Sequence, residues 1–125
     1  MYVLDTSATI EILKETKAGK KVVQAIGSNH FALSSITAFE ILAGALPEEQ
    51  GKTLELIDSS EIIEFDKESA KISGKIARQL NEKGETINPL DTCIAGSAIK
   101  YNAEIVTLDK DFKRIPNLKT IILKP

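Results

Sequence analysis

The chain has 125 residues, 42% hydrophobic and 27% charged, a composition typical of one globular domain with a single core. One histidine and one cysteine are too few for a zinc cage of His and Cys ligands or for a two-histidine ribonuclease mechanism. A Ser–His–Asp triad would lack the G-x-S-x-G turn that carries its nucleophile. Because these alternatives are excluded, any catalysis must rely on the 18 Asp and Glu side chains. The net charge of −2 gives no overall attraction to nucleic acid, so a local basic surface or a metal ion would have to attract RNA.

The sequence predicts one cytoplasmic domain over residues 1–125. No apolar run approaches the ~20 residues needed to cross a bilayer. After Met1 the chain continues directly as YVLD, without the basic segment and apolar run of an export signal. We therefore expect no membrane association.

Five short β-rich runs alternate with helical patterns along the chain. The predicted strands cover residues 2–5, 31–34, 61–65, 104–108 and 120–123, and the predicted helices lie near 8–15, 18–27, 37–46, 48–59, 67–83 and 91–101. This alternation predicts an α/β fold, a three-layer α/β/α sandwich around a five-stranded, mainly parallel sheet. In such folds, ligands bind at the carboxyl ends of the strands, where the strand order reverses.

Acidic residues follow two of the predicted strands. Asp5 ends the first strand and precedes a helix, a position that suits a helix cap and equally an acid in the ligand crevice. Asp109 follows the fourth strand and alternates with Thr107, so both side chains can face the same side. Asp111 is compatible with a second ligand, an outer acid or an anchor for a short helical turn.

Two further acids lie on predicted helices. Asp91, Ile94, Ala95 and Ala98 follow helical spacing, which places an acid on a buried stripe; a helix cap is the alternative reading. A carboxylate there needs a helix N-terminus or a bound cation to offset its desolvation. Glu40 lies roughly opposite the apolar face of its helix, and taken alone it is predicted to be a solvated surface residue.

Taken together, these acids predict a metal-dependent hydrolase. Converging carboxylates repel one another and favour protonation unless a divalent cation neutralises them. Mg²⁺ and Mn²⁺ prefer oxygen ligands, and either ion can activate water and stabilise charge on a phosphate. That chemistry suits phosphodiester hydrolysis and needs no histidine.

Three other functions remain open from the residues alone. A haloacid-dehalogenase-like phosphatase would need a second acid two residues after Asp5, where Ser7 stands. A response-regulator receiver would need an acid pair near the first strand, and only Phe65-Asp66 resembles its phosphoacceptor. A catalytically silent binding protein with the same fold is the third.

The ordered set of motifs resembles the PIN domain family, and its VapC-type toxins most closely. The resemblance is carried by Asp-Thr after the first strand, FEILAG, DTCIAGSAI and VTLDKDF, and it runs from residue 2 to about 123. It implies a metal-dependent endoribonuclease that leaves a 5′-phosphate and a 3′-hydroxyl. It also implies a homodimer, and a cognate antitoxin whose C-terminal tail occupies the active-site groove, often with a basic side chain among the acids.

The resemblance assigns roles to individual residues. The acidic quartet that binds one or two Mg²⁺ or Mn²⁺ ions corresponds to Asp5, Glu40, Asp91 and Asp109. Hydroxyls that support the metal site correspond to Thr6 and Thr107, and Asp111 corresponds to a frequent additional acid.

Three basic clusters are candidates for an RNA-binding surface. Lys110, Lys113 and Arg114 flank Asp109 and are the preferred set. The second cluster is a stripe along one predicted helix: Lys71, Lys75 and Arg78. The third lies between the first two predicted helices: Lys14, Lys17, Lys20 and Lys21. A set of apolar helix residues is assigned mainly to the core, with a dimer or antitoxin interface as the alternative: Phe39, Ile41, Leu42, Leu46, Leu54 and Ile57.

Overall fold

A computed structural model describes all 125 residues. Its strands are β1 (Tyr2–Leu4), β2 (Phe31–Ser34), β3 (Glu61–Ile63), β4 (Glu104–Thr107) and β5 (Lys119–Ile122). Its helices are α1 (Thr6–Leu13), α2 (Lys17–Ile26), α3 (Ser35–Gly44), α4 (Gln50–Ser59), α5 (Lys67–Glu82) and α6 (Pro89–Lys100), with short 3₁₀ turns at Pro47–Glu49 and Lys110–Arg114. No helix has the length and hydropathy of a membrane-spanning segment.

The five strands form one parallel sheet in the order β3-β2-β1-β4-β5. The chain builds outward from β1 through β2 to β3, and then returns to the other side of β1 for β4. The sheet therefore has its switch point between β1 and β4, where Leu4 pairs in register with Val106. A crevice is expected at the carboxyl ends of these two strands.

Alternate residues of the strands pack into two cores, one on each face of the sheet. Val3, Ala32 and Ile105 point into a cluster formed with α5 and α6. Leu4 and Val106 point the other way, into a cluster formed with α1 and α2. Because side chains alternate along a strand, consecutive apolar residues supply both layers, and the predicted three-layer sandwich is confirmed.

The element boundaries differ from prediction where capping chemistry decides them. Helix α6 begins at Pro89 rather than at Asp91, because Asn88 caps it by accepting a hydrogen bond from the Leu90 amide at 2.8 Å. Proline at the first helical position has no amide hydrogen to leave unpaired. The alternative reading of Asp91 as the helix cap is therefore wrong, and this residue lies within the first helical turn.

Helices α5 and α6 approach closely through small residues. On α5 the buried positions are Ser69, Ser73, Ile76 and Leu80. Helical spacing alone predicts that Ala70 and Ala77 are buried together with Ser73 and Leu80, but both alanines are exposed. The helix is rotated so that serines face Gly96 of α6, which permits closer backbone contact than larger residues would.

The apolar set assigned to the core divides into two groups. Ile41 is buried and Ile57 is partly buried, but four large side chains are exposed by 37% to 61%: Phe39, Leu42, Leu46 and Leu54. Helix α3 is apolar around most of its circumference, so the side with Ile41 packs inward and the opposite apolar side remains outside. The core assignment is wrong for these four residues.

Replacing Gly96 with alanine should destabilise the fold. A Cβ at this position would lie 1.9 Å from Ser73 Oγ and 2.9 Å from the Ser69 carbonyl oxygen, so the helices must separate. We expect a loss of about 1–3 kcal/mol in the free energy of unfolding, measured by urea denaturation. Gly74→Ala is the control, because nothing lies within 4 Å of its Cβ. Alanine there should stabilise α5 by up to about 1 kcal/mol, and equal losses in both variants would contradict the packing described.

Candidate active site

Asp5 is both the cap of α1 and the most buried acid of the chain. Its carboxylate accepts hydrogen bonds from the Ala8 amide at 2.9 Å and from the Ser7 hydroxyl at 2.9 Å to each oxygen. Thr107 Oγ1 donates a further bond to Oδ2 at 2.5 Å. Only 1% of the residue is exposed. The capping and functional interpretations of this aspartate are thus compatible.

Two hydroxyls connect the ends of β1 and β4. Thr107 donates to Asp5 and accepts the Asp109 amide at 2.9 Å. Ser7 accepts the Leu108 amide at 3.2 Å and lies 3.3 Å from the Thr107 hydroxyl. The loops after the two central strands are therefore held together, and the two strand-end acids have fixed relative positions.

Glu40 is partly buried, contrary to its prediction as a solvated residue. The Thr6 hydroxyl donates a hydrogen bond to Glu40 Oε1 at 2.6 Å and lies 3.3 Å from the hydroxyl of the buried Thr37. Helix α3 starts directly after β2, next to β1 in the sheet, so Glu40 extends from a neighbouring helix toward the carboxyl end of β1. Thr6 orients Glu40 in this arrangement.

Asp109 begins the turn Lys110–Arg114 and accepts the Asp111 amide at 2.9 Å. Phe112 within this turn is completely buried, which anchors the turn by about 1.5–3 kcal/mol of hydrophobic burial. Asp111 forms an ion pair with Arg114 at 3.5 Å. The predicted short turn is confirmed, with Asp109 as its capping residue.

Asp91 interacts electrostatically with all the other acids of the site. Its pKa is raised to about 7, mainly by desolvation and then by the charges of Asp5, Asp109, Glu40 and Asp111, in that order. The pKa of Asp5 is also raised, mainly by burial, although its hydrogen bonds oppose the change. The structure therefore brings the four predicted acids into one electrostatic group.

No basic side chain neutralises this group. The ion pairs of the chain involve other residues, and none includes Asp5, Glu40, Asp91 or Asp109. Carboxylates clustered without a cation raise one another's pKa, as Asp91 shows. The four acids are free to serve a ligand of positive charge.

The donor set fits a hard divalent cation of the Mg²⁺ class. All of its groups are carboxylate or hydroxyl oxygens. No three acidic, histidine or cysteine side chains are already drawn together into a coordination cage. Mg²⁺ usually retains several of its waters, so carboxylates in an open arrangement can bind it through these waters as well as directly.

Asp66, the phosphoacceptor candidate of the receiver alternative, has a different role. It caps α5 by accepting the Ser69 amide at 2.9 Å and pairs with Lys100, which lowers its pKa to about 2. It follows β3, an edge strand separated from β1 by β2. The receiver arrangement is therefore not favoured.

Sequence reasoning missed the contribution of Ser7 and of a cavity beside Glu40. Ser7 had served only as an argument against a phosphatase, yet an Asp-x-Ser sequence at a helix start predicts a hydroxyl within reach of the capping carboxylate. The cavity has a volume of about 230 Å³ between α1 and the α3–α4 region. Its lining includes Ile10, Leu13, Leu46 and Glu40. These residues come from separate segments, and no local sequence pattern indicates that the segments meet.

The fold and the site define a family. The sequence profile described as "PIN domain" matches residues 2–118. The chain belongs to the PIN domain family. Within it, the chain belongs to the VapC group: a protein of Rickettsia felis named Ribonuclease VapC2 is 32% identical over 94% of each chain.

Two further comparisons agree. The tRNA(fMet)-specific endonuclease VapC of Salmonella typhimurium is 29% identical, again over 94% of each chain. The crystal structure of VapBC2 from Rickettsia felis bound to a promoter DNA fragment contains a chain that superposes with a TM-score of 0.81 at 28% identity, covering 98% of both chains. The predicted fold and family are confirmed.

The raised pKa of Asp91 predicts a pH-dependent stability in the absence of metal. The folded protein retains this proton up to about pH 7, whereas an unfolded chain releases it near 3.8. The free energy of unfolding should therefore fall as the pH rises between these values. In EDTA, we expect a melting temperature several degrees higher at pH 5 than at pH 8, measured by calorimetry.

Asp91→Asn should reduce this difference, because the amide does not titrate. Asp58→Asn on the exposed side of α4 should leave it unchanged. An Asp91→Asn variant with the full wild-type pH dependence would show that another group holds the proton.

Proposed function

We propose that this chain is a VapC-type endoribonuclease that hydrolyses RNA phosphodiester bonds with Mg²⁺ or Mn²⁺. The observation that carries the proposal is the group of acids around Asp91, without a cationic partner, at the switch point of the sheet. The names of its curated relatives, ribonucleases and a transfer-RNA endonuclease, support RNA as the substrate. We further propose that it acts in the cytoplasm.

The acids have different roles in this proposal. Asp5, Asp91 and Asp109 would hold the ion, with Glu40 completing the set. A bound divalent ion would lower the pKa of water and stabilise negative charge on the phosphate. Thr107 keeps Asp5 oriented and Thr6 keeps Glu40 oriented, so few side chains need to reorganise before reaction.

A bound divalent cation would also allow the acids of the site to be ionised together. Asp91 is partly protonated near neutral pH because burial desolvates its carboxylate and the neighbouring acids repel the negative charge. Cation binding favours its ionised form, so binding releases a proton. Metal affinity should therefore increase as the pH rises through about 7, the pKa of Asp91 in the metal-free protein.

Neutralising the strand-end acids should abolish RNA cleavage. We expect Asp5→Asn and Asp109→Asn to lower the rate on labelled RNA with Mn²⁺ by about 100-fold or more, equivalent to about 3 kcal/mol of barrier. EDTA should have the same effect on the wild type. Asp58→Asn, which removes one exposed carboxylate elsewhere, is the matched control. Undiminished cleavage by either site variant would refute the assignment, and acetyl phosphate and a generic phosphatase substrate should remain unreacted throughout.

Two protein partners follow as proposals. Solved relatives are toxin–antitoxin complexes, such as VapBC-1 of Haemophilus influenzae, 26% identical with a TM-score of 0.80. We propose that a cognate antitoxin covers the acidic cleft of this chain, with a basic side chain among the acids and an apolar side chain in the 230 Å³ cavity beside Glu40. We assign the exposed apolar face of α3 and α4 to a second copy of the chain.

The dimer proposal rests on Phe39 and Leu42, which lie three residues apart on one side of α3, and on Leu46 in the extended segment after this helix; all three are exposed. A contiguous apolar face of this kind is characteristic of a protein contact. Leu42→Glu should convert a dimer to a monomer in sedimentation equilibrium, with little loss of folding stability. Val23→Glu, an equally drastic change at the exposed Val23 of α2, should leave the mass unchanged. A wild-type protein that sediments as a monomer at all concentrations would exclude the dimer.

A further inference from the structure

A groove of about 520 Å³ adjoins the acidic site on its β5 side. It shares two residues with the site, Ser7 and Asp109. Its other lining residues come from the turn after β4 and the segment after β5: Leu108, Lys110, Lys113, Ile122, Leu123, Lys124 and Pro125. The groove therefore opens directly beside the carboxylates.

Three exposed lysines give this groove a positive charge. Lys110 and Lys113 lie three residues apart in a 3₁₀ turn, where side chains at that spacing are on the same side. Lys124 reaches the groove from the segment that follows the carboxyl end of β5. None of the three takes part in an ion pair.

A fourth lysine extends the charge away from the site. Lys21 of α2 donates a hydrogen bond from Nζ to the Lys124 carbonyl oxygen at 3.3 Å. A carbonyl partner holds the ammonium group in place but leaves its charge intact. Residues from three distant segments thus form one basic surface in a chain with a net charge of −2. We name Lys110, Lys113, Lys124 and Lys21 the lysine track.

Arg114 lies outside this surface, although the sequence had grouped it with Lys110 and Lys113. Its guanidinium donates to the Thr86 carbonyl at 3.3 Å and pairs with Asp111. The bonds that occupy Arg114 stabilise the turn, and it does not line the groove.

We infer that the lysine track binds the phosphate backbone of the RNA strand next to the phosphate that is cleaved. This inference rests on the proposed ribonuclease function. The unpaired lysines in this groove repel one another, and a bound polyanion relieves that repulsion. When RNA phosphates contact the lysines, the counterions condensed on the RNA are released, which favours binding. Because Asp109 lies in the same groove, a strand held by these lysines passes directly into the acidic site.

A second basic surface on α5 provides a matched comparison. Lys71, Lys75 and Arg78 line an exposed groove that contains no residue of the acidic site. Lys71 is also paired with Glu68 at 3.6 Å. The inference assigns RNA binding to the lysine track and not to this stripe.

The test measures RNA affinity against salt for two variants with equal loss of charge. The first carries Lys110→Gln, Lys113→Gln and Lys124→Gln, and the second carries Lys71→Gln, Lys75→Gln and Arg78→Gln. Binding to labelled single-stranded RNA is followed in EDTA by fluorescence anisotropy. Three lost phosphate contacts should reduce the slope of log K against log salt by about 2, at about 0.7 per contact. The α5 variant should retain the wild-type slope.

A cleavage assay separates failure of this inference from failure of the proposed function. The track variant should cleave a long RNA more slowly than the wild type at limiting substrate, and the α5 variant should cleave it at the wild-type rate. Cleavage by the wild type together with an unchanged slope in the track variant would overturn the inference alone. So would equal slope changes in both variants, or a track variant that loses only antitoxin binding. A wild type that neither binds nor cleaves RNA would overturn both.

Discussion

The fold brings mutually repelling carboxylates together, and this repulsion determines the electrostatics of the site. Asp5 is buried at the end of the central strand, and the charges of the surrounding acids add to the desolvation of Asp91 until its pKa reaches about 7. Protein interiors avoid such arrangements unless a partner offsets them. No lysine or arginine forms an ion pair with Asp5, Glu40, Asp91 or Asp109, and the sheet topology and the loops keep these carboxylates near one another.

Hydroxyl groups make that confinement possible. Thr107 and Ser7 hold the carboxylate of Asp5 and at the same time satisfy amides of the loop after β4. Each hydroxyl both donates and accepts, so one small side chain stabilises two strand ends. A valine in place of Thr107 would preserve its volume but leave both Asp5 and the Asp109 amide without this partner.

Much of the fold could be predicted because strand and helix patterns alternate clearly. Every predicted strand and helix exists, with ends displaced by a few residues where caps such as Asn88 decide them. Asp5 and Asp109 were recognisable because strand ends of a parallel sheet meet at one edge. Glu40 was not recognisable from its own helix, since its burial depends on Thr6 from a different segment. The exposure of Phe39 and the position of Lys124 beside Lys110 and Lys113 also depend on the tertiary structure. The periodicity of the local sequence does not predict either of them.

The buried Phe112 has a consequence for where a strand would be cut. One short turn carries Asp109 at its start and Lys110 and Lys113 on its outer side, and the phenyl ring fixes that turn to the core. In the proposed enzyme, one anchored turn therefore carries both an acid of the reaction centre and two of the lysines that bind the polymer. The backbone of this turn then sets the spacing between the bond that is cleaved and the phosphates that the lysines bind. That spacing does not depend on the bases of the strand.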